Sequence, residues 1–80
     1  MRLEHDKAAD AVYDHLRDVP YDHGEDLDAE RRVDFGADGQ PRGIELLNVS
    51  QGVDVRDLPS GAQVASVLQK LGTPLLTRSA

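Results

Sequence analysis

Three histidines each stand beside an aspartate, as His5-Asp6, Asp14-His15 and Asp22-His23. Imidazole and carboxylate together are the usual means of moving a proton near neutral pH, and with a further ligand they can hold zinc. Adjacent side chains on a strand point to opposite faces, so such neighbours do not orient one another as a catalytic couple must. Neither HxxxH nor HExxH spacing occurs, so a metal site would have to be assembled across strands or subunits. With eleven aspartates in the chain, these adjacencies arise from composition alone. The expectation is exposed polar residues. The alternative is a ligand-binding, metal-binding or enzymatic site built from His5, His15, His23 and nearby aspartates at a homodimer interface.

Asp34, Asp38, Gly39 and Glu45 match positions 1, 5, 6 and 12 of an EF-hand calcium loop. The third position, which should bring an oxygen ligand, is Gly36, and both flanks read as strands rather than helices. A tight hairpin explains Asp38-Gly39 without calcium. The serines lack a nucleophile elbow, and no glycine-rich loop carries a phosphate-binding lysine. Asp10 and Asp14 could form a carboxylate pair, but nothing nearby would raise the pKa of one of them. The chain has no cysteine, so disulfides, thiolate nucleophiles and Cys-ligated zinc are excluded. No catalytic residue, metal or cofactor is expected.

The net charge of −6 is unevenly spread. Residues 1–30 hold ten acids and three bases, and residues 31–80 hold five acids and six bases. Asp18, Asp22, Glu25, Asp26, Asp28 and Glu30 lie in a stretch with no Lys or Arg. Such a surface repels nucleic-acid phosphates and suits a basic protein partner, or serves solubility alone. Arg31-Arg32 is the only basic doublet and has no stacking aromatics around it, so nucleic-acid binding is not expected.

These residues need elements to place them. Eighty residues make one domain, near the size below which a core usually needs a staple, a metal or a partner subunit. With only Tyr13, Tyr21 and Phe35 as aromatics, burial falls to Val, Leu and Ile. A homodimer is therefore expected, with Leu47 and Val49, or Leu68 and Leu71, as the shared apolar surface. No apolar run approaches the ~18 residues that span a bilayer, and no signal-peptide core follows Met1. The expectation is a cytoplasmic protein.

Arg2 to His5 reads as a short strand. Residues 8–17 are ambiguous: Ala8, Ala9, Val12, Tyr13 and Leu16 form a helical stripe with Asp6 as N-cap, while Val12, Asp14 and Leu16 would share one strand face. Asp18 to Asp28 is a loop by composition. Arg31 to Phe35 and Gly43 to Val49 read as a strand pair around the turn residues 36–41. In the second strand Ile44 and Leu46 share one face, and Leu47 and Val49 the other, so both faces call for cover. Ser60 and Gln63 form a capping box for a helix with Val64, Val67, Leu68 and Leu71 on one stripe, ended by Gly72 and Pro74. Thr77 to Ala80 is expected to fray.

The run Asp6-x-x-x-Asp10-Ala11-Val12-Tyr13, then Val33-Asp34-Phe35, then Asp38-Gly39-x-x-x-Gly43-Ile44-Glu45-Leu46-Leu47-Asn48-Val49-Ser50 resembles the YuzE-like family of small bacterial domains of unknown function. The resemblance covers about residues 1–52. It implies that Ala11 to Leu16 is a strand entered through an Asp6–Asp10 turn, and we adopt that reading over the helical one. Asp14 departs from the pattern, standing where the family tends to have an apolar residue, and Gly36 stands where it often has an aspartate. The resemblance brings no established activity. Some members are similar to proteins encoded beside small putative toxins, which implies an antitoxin-like role.

The sequence thus predicts an α+β domain: a small antiparallel β-meander of about four strands with one C-terminal helix. Residues 1–52 form the β-rich region, 53–72 a linker and helix packed on the sheet, and 73–80 a tail. Its expected function is that of an interaction module for a small basic protein, with Asp18, Asp22, Glu25, Asp26, Asp28 and Glu30 as the partner surface.

Overall fold

The computed structural model describes residues 1–76. Five strands, β1 (Arg2–Asp6), β2 (Ala11–His15), β3 (His23–Asp26), β4 (Arg31–Phe35) and β5 (Pro41–Leu47), form one antiparallel sheet in the order β1-β2-β5-β4-β3. A 3-10 turn (Val49–Gln51) and a single helix, α1 (Gly61–Lys70), follow. The class is α+β, as the sequence predicts. The sheet has five strands rather than four, and it is not a simple meander. The chain leaves β2 and passes the positions of β5 and β4 before it enters β3 at the far edge.

The additional strand is β3, inside the stretch that composition reads as a loop. Its residues His23-Gly24-Glu25-Asp26 have little strand propensity of their own. They are drawn into the sheet by a hairpin to β4, closed where the Leu27 amide donates to the Arg31 carbonyl at 2.8 Å. An edge strand with no covered face tolerates polar side chains, and charge there discourages unwanted pairing.

The β4–β5 hairpin forms at Asp38-Gly39 as expected. Gly39 takes φ +77°, a conformation that costs a side-chain-bearing residue about 1 kcal/mol or more. Pro41 is the first residue of β5 and not part of the turn. Strand β2 also forms, which settles residues 11–15 against the helical stripe. Tertiary pairing on both sides, to β1 and β5, outweighs the local periodicity.

Register places Val12, Asp14, Val33, Ile44 and Leu46 on the face that α1 covers. Val12, Ile44 and Leu46 build the core with Val49, Val53, Leu58, Val64 and Leu68. The opposite face of β5 carries Gly43, Glu45 and Leu47, so this strand is not apolar on both sides. Val49 does not share a face with Leu47. The chain turns after Leu47, with Asn48 in the left-handed region, and tucks Val49 under the core. Leu68 is likewise fully buried within the subunit. Of the residues assigned to a dimer seam, only Leu47 and Leu71 are exposed.

At α1 the capping box does not form. Ser60 sits at φ 54°, ψ 37°, outside the extended region a cap requires, and its side chain makes no capping bond; its carbonyl receives the amides of Gln63 and Val64 instead. The other end follows the sequence: Gly72 is left-handed, its amide reaches the Gln69 carbonyl, and the Thr73 amide reaches the Leu68 carbonyl. Residues 73–76, read from sequence as part of the tail, are docked. Thr73 is buried, and Leu75 forms a parallel bridge with Val53. The frayed stretch expected at Thr77 to Ala80 lies outside the described residues.

Candidate functional site

The uncovered face of the sheet carries a row of polar side chains that crosses all five strands. On β1, Arg2 donates to Glu4 at 3.1 Å, and His15 of β2 shares the same Glu4 oxygen at 2.9 Å. The His15 ring meets the Tyr13 ring edge-on at 4.7 Å. Tyr13 crosses the central strand and donates its hydroxyl to Asp34 Oδ2 on β4 at 2.8 Å. The other oxygen of Asp34 lies 3.4 Å from Arg32 Nε, and Arg32 Nη1 donates to Asp26 on β3 at 2.9 Å.

Two glycines make this row possible. A Cβ on Gly43 would collide with the Tyr13 ring and hydroxyl, and one on Gly24 would meet the Arg32 guanidinium at 2.5–2.7 Å. Each large side chain lies flat where its neighbouring strand offers bare backbone, as in aromatic cover of sheet glycines. Burial, and then the hydrogen bond to Asp34, push the Tyr13 hydroxyl up to about 12. Tyr13 is therefore a fixed donor and not a base near neutral pH. The row's acids and bases are largely paired with one another.

Further polar contacts hold the frame. Both oxygens of Asp10 accept from Ser50, from its hydroxyl at 2.6 Å and its amide at 3.0 Å, so the β1–β2 turn is tied to the segment after β5. Arg17 grips Asp38 with both terminal nitrogens, at 2.8 and 2.9 Å, and donates to the carbonyls of Gln40 and Pro41. That ion pair holds the Asp38 carboxyl down at about 2. None of these pairs was apparent from spacing, because each joins residues 21 or more apart in sequence. The signal available was the family-like motif itself: its Tyr13, Asp34, Gly43 and Glu45 converge on one patch of the open face.

The three histidines do not converge. His5 lies on β1 opposite Val12, on the face opposite to His15, and His23 is on β3 at the other edge of the sheet. His23 stacks on Phe35 at 5.0 Å and contacts the Asp22 carboxylate at 2.7 Å. This corrects the expectation that adjacent Asp and His do not orient one another: Asp22 precedes the strand, so strand alternation does not separate the pair. Among the described residues no three His, Asp or Glu side chains are grouped to hold a metal ion. Of the calcium-like set, Asp34 and Glu45 are on the open face, whereas Asp38 is at the hairpin tip.

All six acidic residues 18–30 are exposed, but they divide into two groups. Asp22 contacts His23, Asp26 pairs with Arg32, and Asp28 pairs with Arg31 at 2.8 Å. The Asp28 carboxyl is held low by the Glu30 amide and by Arg31. The side chains of Asp18, Glu25 and Glu30 have no ion pair among the described residues. Glu25 lies on β3, whose outer edge has no neighbouring strand among the described residues. Asp18 instead lines a depression with Met1, Arg2 and His15, and Glu30 precedes β4, where its carbonyl receives the Leu47 amide. Beside the β3–β4 turn, a depression of about 450 Å³ is lined by Asp26, Glu30, Arg32, Glu45 and Leu47, among others.

No helix among the described residues is long and apolar enough to cross a membrane. No curated protein and no solved structure matches the chain. A family model does, over residues 2–50, which takes in the whole sheet, the Tyr13–Asp34 bridge and the Asp10–Ser50 tie, and leaves α1 outside. The chain belongs to that family, DUF2283, whose members are proteins of unknown function.

Proposed function

We propose that the chain is a small cytoplasmic interaction module, antitoxin-like in use, that binds a small basic protein along the β3 edge. The observation that carries this reading is the open strand edge at His23–Asp26, which carries Glu25 and lies within an acidic stretch whose Asp18, Glu25 and Glu30 side chains have no ion pair among the described residues. A partner segment added there as a sixth strand would gain main-chain hydrogen bonds, and its Lys and Arg side chains would meet Glu25, with Asp18 and Glu30 adding to the acidic field. Exposed charges of this kind mainly speed encounter and select partners. Asp22, Asp26 and Asp28 contribute to the field but already hold partners of their own. Pairing of two copies belongs to the same reading, with exposed Leu47 and Leu71 as the apolar contacts.

The test is partner capture from cell lysate at low and high salt, comparing the wild type with the triple variant Asp18→Asn, Glu25→Gln, Glu30→Gln. The expected result is a basic protein that the wild type recovers at low salt and the variant does not. Equal recovery of the same partners by both chains at both salt concentrations would refute the assignment.

A further inference from the structure

Asp14 is fully buried, and neither of its carboxyl oxygens has a hydrogen-bond partner among the described residues. Its surroundings are apolar on each side that register defines. Leu3 is opposite on β1, Ile44 is opposite on β5, and Val12 shares its strand face. The helix above the sheet buries Val64 and Leu68 and no charged residue. Ionised carboxylates are rarely left so, because removal from water without a counter-charge costs far more than a neutral carboxyl does. Burial is accordingly the main cause that raises the Asp14 pKa, opposed by the amino-terminal ammonium and by His15.

Besides the amino-terminal ammonium, the charged groups near Asp14 among the described residues are few. On β1, His5 lies on the same face, beside Val12. On β2, His15 adjoins it in sequence and points to the other face. On β5, Arg42 stands two residues from Ile44, a diagonal position about 7–8 Å away by sheet geometry. Arg42 Nε is itself buried without a partner among the described residues. No ion pair joins the two.

We propose that Asp14 is a proton-operated latch beneath α1: its neutral form lets helix and sheet close over it, and its ionised form loosens the helix and draws Arg42 or water inward. The sign follows from linkage. A carboxyl that is harder to ionise in the folded state than in the unfolded one leaves stability intact below its unfolded pKa of about 3.9. Stability is then lost as pH rises, until the folded pKa is passed. In that window the folding equilibrium constant falls by up to about tenfold per pH unit.

The experiment measures denaturant unfolding of the full chain from pH 4 to 8, for the wild type and for Asp14→Asn and Asp14→Leu, with the carboxyl-carbon resonance of wild-type Asp14 followed by NMR. The expected result is an Asp14 titration above the ordinary carboxylate range. Wild-type stability should decline through that titration, α1 amides should exchange faster above it, and the decline should be absent in Asp14→Asn. An Asp14 resonance that titrates near 4, or the same pH slope in wild type and Asp14→Asn, would overturn the proposal, and the NMR arm decides even where Asp14→Leu fails to fold.

Discussion

The Tyr13 ring lies across Gly43 to donate its hydroxyl to Asp34 at 2.8 Å, so β2 is bonded to β4 over the top of the central strand. Gly43 is the condition for the bond, since any Cβ there occupies the space of the ring. Gly43→Ala should therefore displace Tyr13. Tyr13→Phe keeps the ring and removes only the donor, at an expected cost of about 1–2 kcal/mol for leaving a half-buried carboxylate short of a partner. Ultraviolet titration of the phenol checks the geometry directly. Tyr13 should ionise near 12 in the wild type and distinctly lower in Asp34→Asn, where the carboxylate acceptor and its charge are both lost. An unchanged titration would deny the bridge.

Asp10 and Ser50 form the second long tie. Asp10→Ala removes both bonds and should cost about 1–2 kcal/mol. Asp10 also holds φ 53°, which Asn tolerates better than Ala, so Asp10→Asn should recover part of the loss. Ser50→Ala on the Asp10→Ala background should add little. A double-mutant cycle with no coupling would show that the tie contributes nothing.

The hairpin tip depends on Gly39 for its backbone and not for space, as nothing lies within 4 Å of a Cβ there. Gly39→Val should lower stability by about 1 kcal/mol or more through φ alone. Thermal unfolding gives the answer, and an unchanged melting temperature would contradict it.

What the sequence revealed and what it hid follow from the range of the forces concerned. Asp38-Gly39, the α1 stripe and the Gly72 stop are local, so spacing was enough to place them. Strand β2 was ambiguous because Val12 and Leu16 fit both periods, and pairing to β1 and β5 decides between them. Strand β3 was invisible because His23-Gly24-Glu25-Asp26 has no apolar alternation and is held by β4. The candidate site was half legible. The acidic residues were evident, but that Arg31 and Arg32 fold back to neutralise Asp28 and Asp26 requires the hairpin. The Tyr13–Asp34 bridge required two strand registers that no local pattern specifies.

Acid should act on two sets of groups in opposite directions. Asp38 and Asp54 are held at about 2, by Arg17 and Arg56 respectively, so the stability they contribute is present above about 4 and is lost as pH falls towards 2. Asp14 acts in the other direction, costing stability as pH rises. The wild-type stability profile should therefore peak at mildly acidic pH, and Asp14→Asn should extend the plateau towards neutral. A monotonic rise to pH 8 in the wild type would count against this balance.

The most direct measurement of the partner surface is an NMR titration with a short peptide of alternating lysine and valine, which offers a basic strand to any open edge. Amide shifts should concentrate at His23–Asp26, weaken as salt shortens the Debye length below about 8 Å, and largely vanish in Asp18→Asn, Glu25→Gln, Glu30→Gln. Shifts confined to β1 or to α1, or of equal size in the triple variant, would contradict the assignment of the β3 edge as the binding surface.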